Sequence, residues 1–476
     1  MKSIIALLIL VQLLAIDIYS QKLLGLDDIL SIALKESYSI KAANYSLYGS
    51  QKNLEAMKLG LRTSVDMEFD VPSYSKNLES WYNPLTQKKE FYEAGNTTFE
   101  GRLTLSQPIV FTNGQLSIVG KLFGRNQFSA LNNSSKDFFS NLVFNIRQPL
   151  FAYNNLSASL EKAELNFEMS RRNYTRSEAD LIYNATSAFY NLFKAKKNFE
   201  IVKERVRQSE LSYETAMNKF KAGLIAEVEA LQLEVDLSSA RNDLLSAERS
   251  YKEANDNLKI LIGLESNEKI DVAPELAYNP LIINEEEAIS YALKNRPDLF
   301  NNETSIRLSQ MQIEEIDAKR SIKAELNLNY GINKVDTLFN NVFSNFLQNR
   351  SIVFTVSLPI WDWGQNKREV ESAEANLKLS KLNYLNQKEN IIIEIKQLVN
   401  RIESAKSRVE VLSKSVVVAE KSYNISLERF KSGNITSFDL SQMQLRLTDA
   451  KTNNLNALID YKLTLADLER KTLHKF

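Results

Sequence analysis

The chain has 476 residues, 59 acidic and 59 basic side chains, one His and no Cys. Zero formal charge gives no reason to expect a nucleic-acid partner, and the missing Cys excludes disulfides, thiol chemistry and a lipid-modified N-terminal Cys. His474 stands alone near the C-terminus, and there is no phosphate loop and no zinc spacing, so neither an enzyme, a metal site nor a cofactor is expected.

Met1-Lys2, apolar residues over 4–16 and then Asp17-Ile18-Tyr19-Ser20 predict a signal peptide over 1–20, cleaved near Ser20. The apolar run is too short to span a membrane as a helix, and no other segment is long enough. An exported bacterial protein follows.

Val65, Met67, Phe69 and Val71 then alternate with Ser64, Asp66, Glu68 and Asp70, the period-2 pattern of a strand. The polar stretch 73–96 is read as an exposed loop. Phe99, Gly101, Leu103 and Leu105 alternate again, as do Leu116, Ile118, Gly120 and Leu122. Asn113-Gly114 between them signals a hairpin. Leu142, Phe144 and Ile146 make another strand.

Residues 151–222 carry a heptad seam of Ala188, Leu192, Ala195, Phe199, Val202 and Val206. At 1.5 Å per residue this segment makes a helical path of about 100 Å. It turns at Gly223 and returns through Leu233, Leu237, Ala240, Leu244, Ala247, Tyr251, Ala254 and Leu258.

The second half repeats the order. Leu326, Leu328, Tyr330 and Ile332 form one alternating strand, and Ile352, Phe354, Val356 and Leu358 another. Trp361 and Trp363 follow where the last strand ends, and Trp81 lies in the earlier strand region. They suit an interfacial belt, though packing at a strand–helix junction would use them equally. Leu398, Ile402, Ala405, Val409, Leu412 and Val416 restore the seam, and Phe430-Lys431-Ser432-Gly433-Asn434-Ile435 matches Phe220-Lys221-Ala222-Gly223-Leu224-Ile225 at an offset of 210 positions. One structural unit is used twice, with repeats at 21–270 and 271–476.

Strands about ten residues long, apolar on one side, suit a tilted transmembrane strand, although a half-buried sheet of a soluble domain gives the same pattern. The helices alone would also fit a plain antiparallel coiled coil. One chain offers four clear strands and an extra hairpin over 97–129. A barrel needs about eight strands, and an open edge in lipid is not tolerated, so the barrel is shared between chains. Three chains of four strands give twelve. The extra hairpin either enlarges the barrel or folds as an elaboration outside it, and the second is expected, because the shared strands already close a wall of twelve.

Ala292-Leu293-Lys294-Asn295-Arg296-Pro297-Asp298-Leu299 resembles the signature of TolC-like outer-membrane efflux proteins, with a weak echo at Ala33-Leu34-Lys35-Glu36-Ser37. Ser357-Leu358-Pro359-Ile360-Trp361-Asp362-Trp363-Gly364 and Arg147-Gln148-Pro149-Leu150-Phe151 resemble the family's strand-to-helix turns, and the Gly223 and Gly433 tips resemble its periplasmic hairpin turns. No one motif is decisive; the ordered set covers nearly the whole mature chain.

The resemblance implies a mixed α and β membrane fold. It is a homotrimer with a twelve-stranded outer-membrane barrel continued by a periplasmic coiled-coil barrel. The function it implies is the exit duct of a tripartite efflux or secretion system, with a periplasmic adaptor, an inner-membrane transporter and outer-membrane lipid as partners. The position matching Asp439 contributes an acidic ring at the family's periplasmic constriction. Glu229 is its counterpart in the first repeat. A second acidic position is Gln442 here, and a locking basic residue falls at Ile435. Asp439 is read as lying about one and a half turns into its helix. Both acids would equally serve as first-turn residues favoured by the helix dipole. Gly223, Leu224, Ile225 and Ala226, with Gly433, Asn434, Ile435 and Thr436, are the expected adaptor-contact tips, although the tips could pack on one another. A periplasmic adaptor or a structural coiled-coil surface protein is the alternative. An adaptor would need soluble lipoyl-like and β-barrel domains and normally one helical hairpin.

Overall fold

A computed structural model of the chain describes residues 22–130, 134–273 and 278–476. The signal peptide expected over 1–20 lies outside the described residues. In chain order the first half gives β1 (Lys22–Leu24), α1 (Leu26–Glu36), α2 (Tyr38–Gly60), β2 (Ser64–Asn83), β3 (Lys88–Ile109), β4 (Gly114–Ser129), β5 (Ser135–Leu150), α3 (Asn155–Lys221) and α4 (Glu227–Ile262). The second half gives β6 (Ile270–Val272), α5 (Glu285–Asn295), α6 (Pro297–Lys319), β7 (Lys323–Asp336), β8 (Leu347–Ser357), α7 (Gln365–Lys431) and α8 (Ser437–Thr472), with a short 3-10 turn at Phe339–Phe343. The four helices of each half have the same lengths in the same order: 11, 23, 67 and 36 residues.

The chain divides into two compact units, one formed by residues 48–170 and 301–384, the other by the remaining segments 171–300 and 385–476 with the N-terminal part up to 47. The first unit holds a six-stranded antiparallel sheet in the order β2-β3-β4-β5-β7-β8. The sheet departs from two expectations. Residues 73–96 are not a loop: β2 and β3 run on as a paired hairpin to Asn83 and Lys88. Cross-strand polar pairs hold this extension, with Lys76 on Glu93 at 2.6 Å, Ser73 on Thr98 at 2.7 Å and Tyr92 on Glu79 at 3.0 Å. The β3–β4 hairpin is not an outlying elaboration either. It sits inside the sheet, with β3 paired to β2 and β4 paired to β5. Its register places Leu105 beside Ile118 and Ile118 beside Phe144, so the hairpin carries its apolar side on the same face as its neighbours.

The second unit is helical, with β1 and β6 paired parallel across its core. The heptad seam is buried where the chain needs it: Leu192, Val202 and Val206 on α3, and Leu398, Ile402, Ala405 and Val409 on α7. The main core gathers Leu24, Ile29, Ala33, Leu181, Ala185, Phe193, Leu258 and Ile262. The Asn295–Asp298 stretch is a joint between α5 and α6. Asn295 donates to the Thr472 carbonyl at 3.1 Å, and Pro297 opens α6, where its missing N–H costs nothing. Arg296 grips Asp298 at 2.6 Å and also Glu394, which in turn accepts from Lys471. Near the C-terminus the His474 ring stacks on Tyr291 at 3.8 Å and meets Phe476 edge-on.

Candidate functional site

The two helical hairpin tips close with one backbone device. The Leu224 N–H donates to the Lys219 carbonyl at 2.9 Å and the Gly223 N–H to Phe220 at 2.8 Å; Asn434 to Arg429 at 2.8 Å and Gly433 to Phe430 at 3.0 Å repeat it. This pair of bonds is the Schellman motif, which requires the left-handed conformation at its penultimate residue. Gly223 and Gly433 supply it with φ of 72° and 78°.

Beyond each turn the helix starts differ. Thr436 caps α8: its hydroxyl accepts from the Asp439 N–H at 3.2 Å and donates to the Asp439 carboxylate at 2.8 Å, while that carboxylate also accepts from the Thr436 N–H at 3.2 Å. This is a reciprocal capping box. Asp439 therefore belongs to the first turn of α8, not one and a half turns in, and it is exposed. Glu229 holds the same place on α4, behind Ala226, which offers no side-chain cap. The Glu229 carboxylate lies 3.5 Å from the Ser437 hydroxyl, so the two helix starts meet within one chain. Gln442 is half-buried.

The tips share a core of Ala216, Ala230, Leu233, Tyr423, Phe430 and Leu440, against which Phe220, Ile225 and Ile435 pack. Burial pushes the Tyr423 hydroxyl up to about 12, with Glu204 adding to it. Lys219 stands over the Phe430 ring at 4.6 Å and donates to its carbonyl. Below the tips, Ser441 donates to Asp236 at 2.7 Å, Gln444 to Ser209 at 2.9 Å and to the Arg205 carbonyl at 3.0 Å, and Arg205 pairs with Asp243 at 2.8 Å.

The expected contact residues thus separate. Gly223, Leu224, Ala226, Gly433, Asn434 and Thr436 are exposed, whereas Ile225 and Ile435 are half-buried in the tip core. Leu224 is 73% exposed, and two further apolar side chains join it: Val228 at 69% and Phe438 at 61%. Val228 and Phe438 occupy the same repeat position, 210 residues apart, a correspondence that was readable in the sequence. Asp236, Ser441 and Gln444 had no such signal, because their partners lie on other helices. The arrangement offers paired acids at helix starts, a polar lacing between hairpins and an exposed apolar group at the turn.

The sequence pattern of one protein family, described as outer membrane efflux protein, matches residues 119–264 and 288–472. The chain is 22% identical over 227 residues to a probable outer membrane lipoprotein, SilC, of Salmonella typhimurium, covering 46% of this chain and 48% of that protein. It is 22% identical over 237 residues to the cation efflux system protein CusC of Escherichia coli K12, covering 48% and 51%. These matches span about half the length of the curated relatives. Among solved structures, the Campylobacter jejuni CmeC outer membrane channel superposes with a TM-score of 0.68 at 17% identity, covering 94% of this chain and 85% of that one. At that identity the likeness is one of fold.

Proposed function

Because the chain belongs to the outer membrane efflux protein family, we propose that it is the outer-membrane exit duct of a tripartite efflux or secretion system. Three copies share one transmembrane barrel, and their long helices form a periplasmic conduit. It receives small molecules or polypeptides from an inner-membrane transporter through a periplasmic adaptor. The equal helix lengths of the two halves support a duplicated unit.

The observation that carries this reading is the apolar face of the sheet. Val65, Met67, Phe69, Leu103, Leu142, Phe144, Ile146, Ile352, Phe354 and Val356 are all exposed on the single chain. A sheet in water buries such a face, whereas lipid accepts it. Among the described residues no helix is long and apolar enough to cross a membrane. The strands are the elements suited to it.

At the tips, Leu224, Val228 and Phe438 form the adaptor contact, with Gly223, Ala226, Gly433, Asn434 and Thr436 shaping the turn. Ile225 and Ile435 hold the tip core from beneath. Asp439 and Glu229 each become a ring of three carboxylates on a three-fold axis, favouring cations at the constriction. Gln442 narrows the bore without charge. A periplasmic adaptor or a surface coiled coil would leave the apolar sheet face without an environment. Membrane fractionation tests the reading: the chain should be recovered with the outer membrane and resist extraction by alkaline carbonate. Recovery in the soluble periplasmic fraction would overturn it.

A further inference from the structure

We propose that the β3–β4 hairpin is part of the membrane wall, so that three copies close an eighteen-stranded barrel, not a twelve-stranded one. The inference rests on the trimeric duct reading above and adds the architecture of its wall.

Position in the sheet is the first observation. β3 and β4 lie between β2 and β5 and pair on both sides, with a register shift between Asp70 and Ser73 on β2, and β2 and β8 are the two edges. Six strands per chain and three chains give eighteen.

The two faces are the second. On one side the register lines up Met67, Leu103, Gly120, Leu142 and Ile332 across five strands, all small or apolar. On the other, Lys121 meets Glu100 at 2.7 Å, Arg102 meets Glu100 at 2.6 Å and Glu68 at 3.4 Å. This charged ladder crosses β2, β3 and β4. It suits a water-filled lumen, and the opposite face suits lipid. A hairpin folded outside the wall would have no use for two such different faces.

The third is the aromatic content of the strand ends. The β3–β4 turn carries Phe111 exposed, at the same end of the strands as exposed Phe151, Trp361 and Trp363. Across the sheet from that end, Phe99, midway along β3, and Phe138, near the start of β5, sit with ring centroids 6.4 Å apart, and Phe339 lies 5.4 Å from Phe138. Both belts therefore run through the hairpin. The nine residues from Phe138 to Ile146, at about 3.4 Å per residue and a tilt of about 40°, give a band about 23 Å tall, close to the apolar band of outer-membrane barrels.

The edges decide the occupant. β2 and β8 run antiparallel to each other in an even-stranded sheet, so β8 of one copy meets β2 of the next in the same antiparallel sense as every other pair. Both edges carry apolar residues on the lipid-facing side, with Val65, Met67 and Phe69 on β2 and Ile352, Phe354 and Val356 on β8. An unpaired strand edge is not tolerated in lipid. With strands about 4.8 Å apart and tilted about 40°, eighteen strands enclose a backbone cylinder about 36 Å across, against about 24 Å for twelve. The bore is about half again as wide.

Imaging of the purified full-length trimer by electron cryomicroscopy counts the strands directly. Cysteine pairs test the same wall in membranes, since the chain has no native Cys. Asp66→Cys with Thr104→Cys, and Val119→Cys with Val143→Cys, should each cross-link within a chain. A β8 series at Ser351, Val353 and Thr355 against Glu68→Cys should link chains into dimers and trimers. Eighteen strands and these links are the expected result. A trimer with twelve strands, or a β2–β5 link such as Asp66→Cys with Val143→Cys, overturns the inference and leaves the duct reading standing. Absence of a trimer overturns both.

Discussion

The Ser441 hydroxyl of α8 donates to the Asp236 carboxylate of α4 across 2.7 Å, a bond between helices 205 positions apart in the chain. Together with Gln444 on Ser209 it laces the second hairpin to the first just below the tips. A constriction built from these ends would open only when the lacing yields. Asp236→Ala should therefore raise the single-channel conductance of the trimer in planar bilayers above the wild-type value. An unchanged conductance would remove Asp236 from the closed state.

The proposed acidic ring calls for a gentler substitution than alanine. Asp439 is both a candidate lumen charge and half of a capping box, and Asp439→Ala would remove both. Asp439→Asn keeps a hydrogen-bonding side chain at that position and deletes the charge. It should lower cation selectivity while the trimer stays intact. Thr436→Ala is the matched control: loss of the cap should weaken the helix start by about 1 kcal/mol with little change in selectivity. If the two variants behave alike, Asp439 acts only as a cap, and Glu229 is the next position to change.

At the tips the structure separates exposed side chains from those packed in the tip core. Leu224→Asp, Val228→Asp or Phe438→Asp should abolish export while trimer yield and membrane insertion remain normal, because each places a charge where an apolar partner surface would have to desolvate it. Ile435→Asp should differ. It puts a charge against the tip core of Leu440 and Phe430, so lowered trimer yield is expected there. Normal export from all three exposed-site variants would move the docking surface elsewhere.

Arg296 ties its motif to the long helices α7 and α8. It holds Asp298 and Glu394 at once, and Glu394 also receives Lys471. Burial raises the Glu394 carboxyl, but the Lys471 and Arg296 hydrogen bonds outweigh it and hold the group below the usual glutamate range. A lowered folded value means that this stabilisation is present above the ordinary glutamate pKa and is lost as pH falls through the lowered one. Arg296→Ala should cost about 2 kcal/mol, between an exposed and a buried pair. Glu394→Gln should flatten the acid limb of the stability profile below the ordinary glutamate value. An unchanged acid limb would show that other carboxylates dominate it.

The parts of this molecule that were legible in the sequence are those with a period. Leu326 through Ile332 announces a strand because side chains alternate faces, and Leu398 through Val416 announces a helix because the seam repeats every seven residues. Residues 73–83 and 88–96 hid their pairing because Lys76–Glu93 and Ser73–Thr98 are polar on polar, with no apolar stripe to betray them. The hairpin was recognised by Asn113-Gly114, but its neighbours in the sheet depend on contacts between β4 and β5, which no local pattern encodes. At the tips, Thr436 three residues before Asp439 is a capping signature that was present in the sequence. The burial of Ile435 was not readable, since it depends on the first hairpin lying alongside.

The central claim is that this chain is a shared membrane duct, and its mass in a membrane-like state tests it most directly. Native mass spectrometry of the protein extracted from outer membranes in mild detergent should give a single species of three chain masses that persists on heating. A monomer under the same conditions would leave β2 and β8 as open edges in lipid, and the account would fail.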